Sequence, residues 1–168
     1  MEKWDAYNRE GQVTGQVLIR GQEVPNGLYH LVVECLILDQ DDRVLLVQRH
    51  PDKPAFPSYF EASAGGSALL GESDLEAIIR EVEEETGINL KADQLSRRET
   101  FFNEQFHCYF QCFTAKLSQV APEVILQGSE TTAYRWIPRS ELKSFFKQNQ
   151  VIPRHQNMLE ILFLNNDA

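Results

Sequence analysis

Positive charge is scarce in this chain: sixteen Lys and Arg stand against twenty-five Asp and Glu, for a formal charge of −9. A sequence-independent grip on nucleic acid needs a basic surface that displaces counterions, so that class is excluded. An anionic membrane surface is excluded on the same ground. Long apolar runs are also missing. The most apolar stretch, Leu31 to Leu38, is interrupted by Glu34 and falls well short of the roughly 20 residues that span a bilayer. The start, Met1-Glu2-Lys3-Trp4-Asp5, lacks the apolar segment of a secretory signal, and a cytoplasmic protein is expected. Cysteine is limited to Cys35, Cys108 and Cys112. That odd set lacks zinc-ligand spacing and sits in apolar or aromatic runs, so buried, reduced thiols are expected. There is no G-x-S-x-G elbow, which argues against a serine nucleophile.

What remains is ordinary for one folded domain: 168 residues, 42% hydrophobic and 24% charged, enough to bury a core. The expected organisation is a single domain over 1–168, with a hairpin extension at 1–27, a core at 28–148 and a terminal helix at 149–168. Residues 4 to 20 read as a polar hairpin turning at Asn8-Arg9-Glu10-Gly11. Leu31 to Asp39 and Val44 to Val47 read as a second hairpin around Gln40-Asp41-Asp42. Prolines make 51–58 a loop. Ser73 with Glu76 forms a capping box and Gly87 a left-handed stop, which predicts a helix between them. Further strands are expected at 98–103, 107–116 and 132–137, and helices from Pro138 and from Pro153. Strands and helices mix without a βαβ rhythm. The predicted fold class is therefore α/β in the broad sense (α+β), a mixed sheet sandwiched between helices.

The helix after Ser73 carries the chemistry. Leu75, Ile78, Ile79 and Val82 share one face at helical spacing, with Glu81, Glu84 and Glu85 on a continuous arc beside it and Glu83 on the far side. Neighbouring carboxylates repel by a few tenths of a kcal/mol per pair. A hard divalent cation, Mg²⁺ or Mn²⁺, resolves that repulsion and commonly sits between carboxylates and substrate phosphates. Gly65-Gly66 ahead of the helix allows backbone to approach a ligand or metal closely, whereas a glycine pair by itself is more often a plain turn. Gly66 to Gly71 begins like a phosphate-cradling P-loop, but Glu72 stands where the lysine is required, which excludes that motif.

Taken together, Gly66-x5-Glu72-x7-Arg80-Glu81-Val82-x-Glu84-Glu85-x-Gly87-Ile88 matches every fixed position of the Nudix box. The chain resembles the Nudix hydrolase family over most of residues 28 to 148. The resemblance implies hydrolysis of a diphosphate linkage in a nucleoside diphosphate joined to another moiety, a small-molecule substrate. It implies Glu81 and Glu85 as principal metal ligands and Glu84 as a third ligand or water-activating base. Arg80 would orient the glutamates and Glu72 would steady them; Gly65 and Gly66 would lie against substrate. Arg49, at the end of its strand, and Glu130, in the loop before 132–137, match positions where the family often carries a substrate-facing arginine and an acidic ligand or base. Gly27 to Val33, with Thr14-Gly15 and Arg20-Gly21, is similar to a subgroup related to isopentenyl-diphosphate isomerase. That isomerase uses a Cys-Gly-His run where this chain has Ala64-Gly65-Gly66. A non-catalytic nucleotide-binding module is the other alternative, though such a module is expected to lose box carboxylates. The apolar terminal helix, with Leu159 and Ile161 to Leu164, points to a homodimer.

Overall fold

The computed structural model describes residues 1–164; residues 165–168, the end of the expected terminal helix, lie outside the described ones. Lys3–Tyr7 (β1) and Val13–Ile19 (β2) form the anticipated hairpin. Its turn is held by Asn8, whose side-chain oxygen accepts from the N–H groups of Glu10 and Gln12 at 3.0 and 2.9 Å, the local bonding that suits Asn to turns. β1 then pairs with Tyr29–Leu38 (β3), and β3 runs parallel to Cys108–Lys116 (β8) over nine positions. Leu95–Asn103 (β7) extends that sheet beyond β8.

The second expected hairpin forms only at its tip. β3 and Val44–Arg49 (β4) share a single pair, Leu38 with Val44, and then separate. β4 turns to Thr131–Ile137 (β9) and to the two-residue strand Phe60–Glu61 (β5). β3 turns to Ala64–Ser67 (β6), so Gly65 and Gly66 lie in a strand rather than in the expected turn. The physical reason is between them: Ser63 Oγ, fully buried, accepts from Ile37 N–H at 2.8 Å and donates to the Leu45 carbonyl at 2.6 Å. It satisfies backbone groups that would be orphaned where the ladder parts.

Helices cover both faces, as expected for the layered fold. Asp74–Thr86 (α1) has the full capping box and a left-handed Gly87, φ 71°. Its Ile78 and Val82 pack on Val33, Cys35 and Ile37 of β3. The helix expected at Pro138 begins as a 3₁₀ turn, Arg139–Glu141, and becomes Leu142–Gln148 (α2). Pro153–Leu159 (α3) continues as a π turn, Glu160–Leu164. These put Leu142, Phe145, Met158 and Leu159 against Leu36, Leu46 and Ile137 on the opposite face. Period-two alternation along β3 therefore sends Val33, Cys35 and Ile37 toward α1, and Glu34 and Leu36 toward α3. All three cysteines are buried and unpaired. No helix among the described residues is long and apolar enough to cross a membrane.

Candidate active site

The fork between β3 and β4 opens a cavity of about 210 Å³. Gly65 and Gly66 of β6, Glu85 of α1 and Glu130 line one side, and Glu34, Arg49, Glu61, Thr131 and His155 the rest. A wider groove of about 440 Å³ continues over α1, where Glu81, Glu84 and Arg80 reach it, with Glu130 and Glu85 common to both. The residues expected from sequence are thus gathered: Arg49, Gly65, Gly66, Arg80, Glu81, Glu84, Glu85 and Glu130 all border this space. Glu83 is exposed, as expected.

Both glycines stand where a β-carbon would crowd a neighbour. A β-carbon on Gly66 would lie 2.5 Å from the Glu81 carboxylate, and one on Gly65 would lie 2.6 Å from the Val33 carbonyl. Gly65 N–H donates to Glu85 Oε2 at 3.0 Å. Burial pushes the Glu85 carboxyl up to about 8, with Glu81 and Glu61 adding to it against that N–H. Burial likewise raises Glu81, opposed by Arg80.

Arg80 is fully committed. Its Nε and Nη2 clasp Glu72 at 2.7 and 2.9 Å, Nη1 donates to Glu81 and Glu84 at 2.8 and 3.2 Å, and Nη2 also meets the Ser67 carbonyl at 3.1 Å. That accounts for all five guanidinium donors. Glu72, held low by Arg80, also accepts from Leu69 N–H at 2.8 Å, so the loop, the arginine and the helix carboxylates form one unit. Every Arg80 donor is therefore engaged within the protein, four by carboxylates and one by the Ser67 carbonyl. The three helix carboxylates do not converge as their helical spacing suggests: Glu84 is 54% exposed, and among the described residues no three such side chains close on one ion position. Their acidity is shared out to Arg80 and Gly65 N–H instead.

Arg49 donates to Glu61 at 2.8 Å and to the Ala55 carbonyl at 3.1 Å; Lys53 pairs with Glu130. The deep end of the cavity was missed from sequence. Glu34, which lines it, forms a bidentate pair with Arg154 of α3, and the Arg154 guanidinium lies 4.9 Å over the Phe110 ring and 5.1 Å over Phe101. His155 Nδ1 accepts from Ala62 N–H at 3.0 Å, leaving Nε2 to face Glu34 at 3.3 Å. Burial alone would raise the Glu34 carboxyl, but His155 and Arg154 override it and hold it down to about 2. Thr131, only 4% exposed, presents a buried hydroxyl without a hydrogen-bond partner among the described residues at this cavity. One signal for this region was present in the sequence: Glu34 is a lone charge inside the chain's most apolar run.

A β3–β4 fork with a capped, glutamate-bearing helix after a glycine pair defines a Nudix-type hydrolase site. Residues 28–160 match the NUDIX domain family, and the chain belongs to it. Over 154 residues it is 34% identical to a Nudix hydrolase of Listeria monocytogenes, covering 91% of this chain and 89% of the relative. A crystal structure of a Deinococcus radiodurans protein shares the fold with a TM-score of 0.72 at 20% identity, covering 95% of this chain and 98% of that one. A bifunctional NMN adenylyltransferase/ADP ribose pyrophosphatase from Francisella tularensis, complexed with AMP and Mn ion, aligns at 26% identity and a TM-score of 0.60. That alignment covers 80% of this chain and 41% of the other.

Proposed function

We propose that this chain is a divalent-metal-dependent hydrolase that cleaves the diphosphate linkage of a nucleoside diphosphate joined to another moiety. The observation that carries this is the pair Glu81 and Glu85, two carboxyls desolvated side by side against Gly65 and Gly66. Packing two acids into a site that raises both is unfavourable unless a cation shares them. The donors are all hard oxygens, which fits Mg²⁺ or Mn²⁺. Glu81 and Glu85 would hold the ion, and Glu84, at the exposed end, would serve as base. Such an ion supplies Lewis acidity at the phosphoryl oxygens and lowers the pKa of a bound water. The Francisella relative, with its AMP and Mn ion, supports the same substrate class and metal.

The remaining roles belong to the chain. Glu84 or Glu130 takes the proton of the attacking water: Glu84 is reachable from solvent and Glu130 sits across the cavity beside Lys53. Gly65 and Gly66 let β6 come close against Glu81 and Glu85 at the wall where the diphosphate would lie, and Arg80 with Glu72 fixes the carboxylates beforehand, which is where electrostatic preorganisation arises. Isomerase chemistry of the thiol type finds no nucleophile here. Position 64 is alanine, and burial holds the Cys108 and Cys112 thiols up to about 11 and 12. A purely binding module does not need Glu81, Glu84 and Glu85 together, and all three are present. The test is product release across nucleotide sugars, dinucleotides, coenzyme A and oxidised nucleotides, with Mg²⁺ and with EDTA. Metal-dependent cleavage of a diphosphate linkage that Glu85→Gln abolishes is expected. Undiminished turnover in EDTA refutes the proposal.

A further inference from the structure

The hairpin β1–β2 lies outside the family-matched segment 28–160, yet it builds a wall of the groove over α1. Three contacts lock it there: β1 pairs with β3, Leu70 N–H donates to the Lys3 carbonyl at 2.8 Å, and Gly71 N–H donates to Asp5 at 2.7 Å. Leu70 and Gly71 belong to the loop that leads into α1. The hairpin is thereby registered against the glutamate helix, and Glu2, Trp4 and Arg20 line the same groove as Glu81, Glu84 and Glu85.

The charges of this wall are unequal to its task unless one of them moves. A diphosphate brings several oxyanion charges into a groove lined by Glu2, Glu81, Glu84, Glu85 and Glu130. Among the described residues its lining holds two cations, Arg80 and Arg20. Arg80 has no donor to spare. Arg49 and Lys53, at the neighbouring cavity, are tied to Glu61 and Glu130. Arg20 differs: its side chain is 69% exposed and its one side-chain hydrogen bond among the described residues is to Glu2, at 3.0 Å. Glu2 in turn is fixed by Trp4, whose indole N–H donates to its other oxygen at 2.6 Å while the ring stacks on His30, centroids 4.1 Å apart. An exposed ion pair of this kind is weak and easily exchanged.

We infer that Arg20 is a substrate-binding residue that leaves Glu2 to grip a phosphoryl group of the diphosphate, Glu2 acting as its internal placeholder. This rests on the diphosphate reading for the class of ligand and deepens it by naming the cation that meets the substrate. Trp4 and Glu2 park the guanidinium at the groove edge, and a phosphoryl group, with more charge and matching fork geometry, outcompetes one carboxylate.

The experiment is calorimetric binding of inorganic pyrophosphate in millimolar Mg²⁺ to wild type, Arg20→Gln, Arg20→Lys and Glu2→Gln, with thermal melting of each. Steady-state hydrolysis of whichever panel compound is cleaved accompanies it. Arg20→Gln is expected to weaken pyrophosphate binding about tenfold and raise KM by a similar factor at nearly unchanged kcat and melting temperature. Arg20→Lys, which keeps the charge but not the fork, should recover part of the loss, and Glu2→Gln should bind pyrophosphate at least as tightly as wild type. Wild-type affinity in Arg20→Gln overturns the inference, as does a wild type that binds no pyrophosphate. Parallel losses of binding and melting temperature in Arg20→Gln and Glu2→Gln also overturn it, because the pair is then only a latch for the hairpin. If no compound of the panel is hydrolysed but pyrophosphate binding still depends on Arg20, the hydrolase proposal fails and this one stands.

Discussion

Gly65 and Gly66 are adjacent in sequence and in β6, and adding one methyl group to each should have opposite consequences. At Gly66 the new carbon meets the Glu81 carboxylate, at 2.5 to 2.6 Å from its three atoms. A carboxylate ends a flexible side chain, so it swings away by about 1 Å and the backbone stays. Ala also restricts the unfolded chain, which offsets part of the lost Arg80–Glu81 bond. Gly66→Ala should therefore change stability by no more than about 1 kcal/mol. A displacement of about 1 Å at a reacting centre nevertheless costs on the order of 10²-fold in kcat. At Gly65 the carbon meets the Val33 carbonyl at 2.6 Å and the Glu34 backbone at 3.2 Å. Neither is free to swing, because both belong to the β3–β6 ladder. Overpacking against backbone costs about 1–3 kcal/mol, or roughly 3–10 °C in melting temperature for a chain of this length. Differential scanning calorimetry and initial rates on the same preparations separate the two effects. Full activity in Gly66→Ala would remove Glu81 from the catalytic arrangement. A large melting loss in Gly66→Ala with none in Gly65→Ala would show that the close approaches are assigned to the wrong glycines.

The glutamates of α1 should divide by face: Glu84→Gln and Glu85→Gln should lower kcat by on the order of 10² or more, Glu83→Gln should leave it within twofold, and equal losses at Glu83 and Glu84 would mean the wrong helical face has been chosen. In EDTA, the raised Glu85 carboxyl makes the folded state hold a proton that the unfolded state releases, so stability should fall as pH rises from the ordinary 4.5 toward about 8; Glu85→Gln should flatten that slope in thermal melts, and an unchanged slope would contradict the burial argument. Glu34 has the opposite sign. Its carboxyl is held at about 2 against an ordinary 4.5, so it contributes stability that is complete above the ordinary value and lost as pH falls toward 2; urea titrations should show about 3 kcal/mol of acid sensitivity. Arg154→Leu, which strands a buried carboxylate, should cost about 3–5 kcal/mol, and a cost below 1 would show that the pair is solvated. Static light scattering should give twice the 19.3 kDa chain mass if the terminal apolar segment pairs two copies; a concentration-independent monomer mass ends that expectation.

How much of this was legible in the sequence depended on how local each signal was. Helix α1 was read end to end because its cap, stop and stripe all lie within fifteen positions of one another and act through neighbouring backbone. The N-terminal hairpin was equally legible, since Asn8 makes its turn without outside help. The β3–β4 hairpin was read correctly at its turn and wrongly along its length. Asp39 holds the turn by accepting from Asp41 and Arg43 N–H, both at 2.9 Å, but what parts the strands afterward is Ser63, more than twenty residues away. β5 and β6 were hidden for the same reason. Two residues at Phe60–Glu61 are too short a run to read as a strand and a glycine pair has little strand propensity, and they are strands because the fork supplies ladders to join.

The site followed the same division. Glu81, Glu84 and Glu85 lie on one helix, where spacing grouped them, and the resemblance to the Nudix box added Arg80 and Glu72 on the same helix and its leading loop. Glu34 with Arg154 could not be found that way, because 120 residues separate the partners and neither charge pattern nor periodicity links them. Yet Glu34 was visible as an anomaly: a carboxylate inside a buried strand must be paired or protonated. Nothing in the sequence says which cation answers it. The fold answers by sending odd and even residues of β3 to opposite layers, so that the strand that packs Val33 and Cys35 under the glutamate helix also carries Glu34 to α3. One strand thus couples the glutamate helix to the terminal helix. Disturbing Arg154 should therefore be felt first in the floor of the cavity, at Glu34 and His155, and only afterward at Glu85 on its rim.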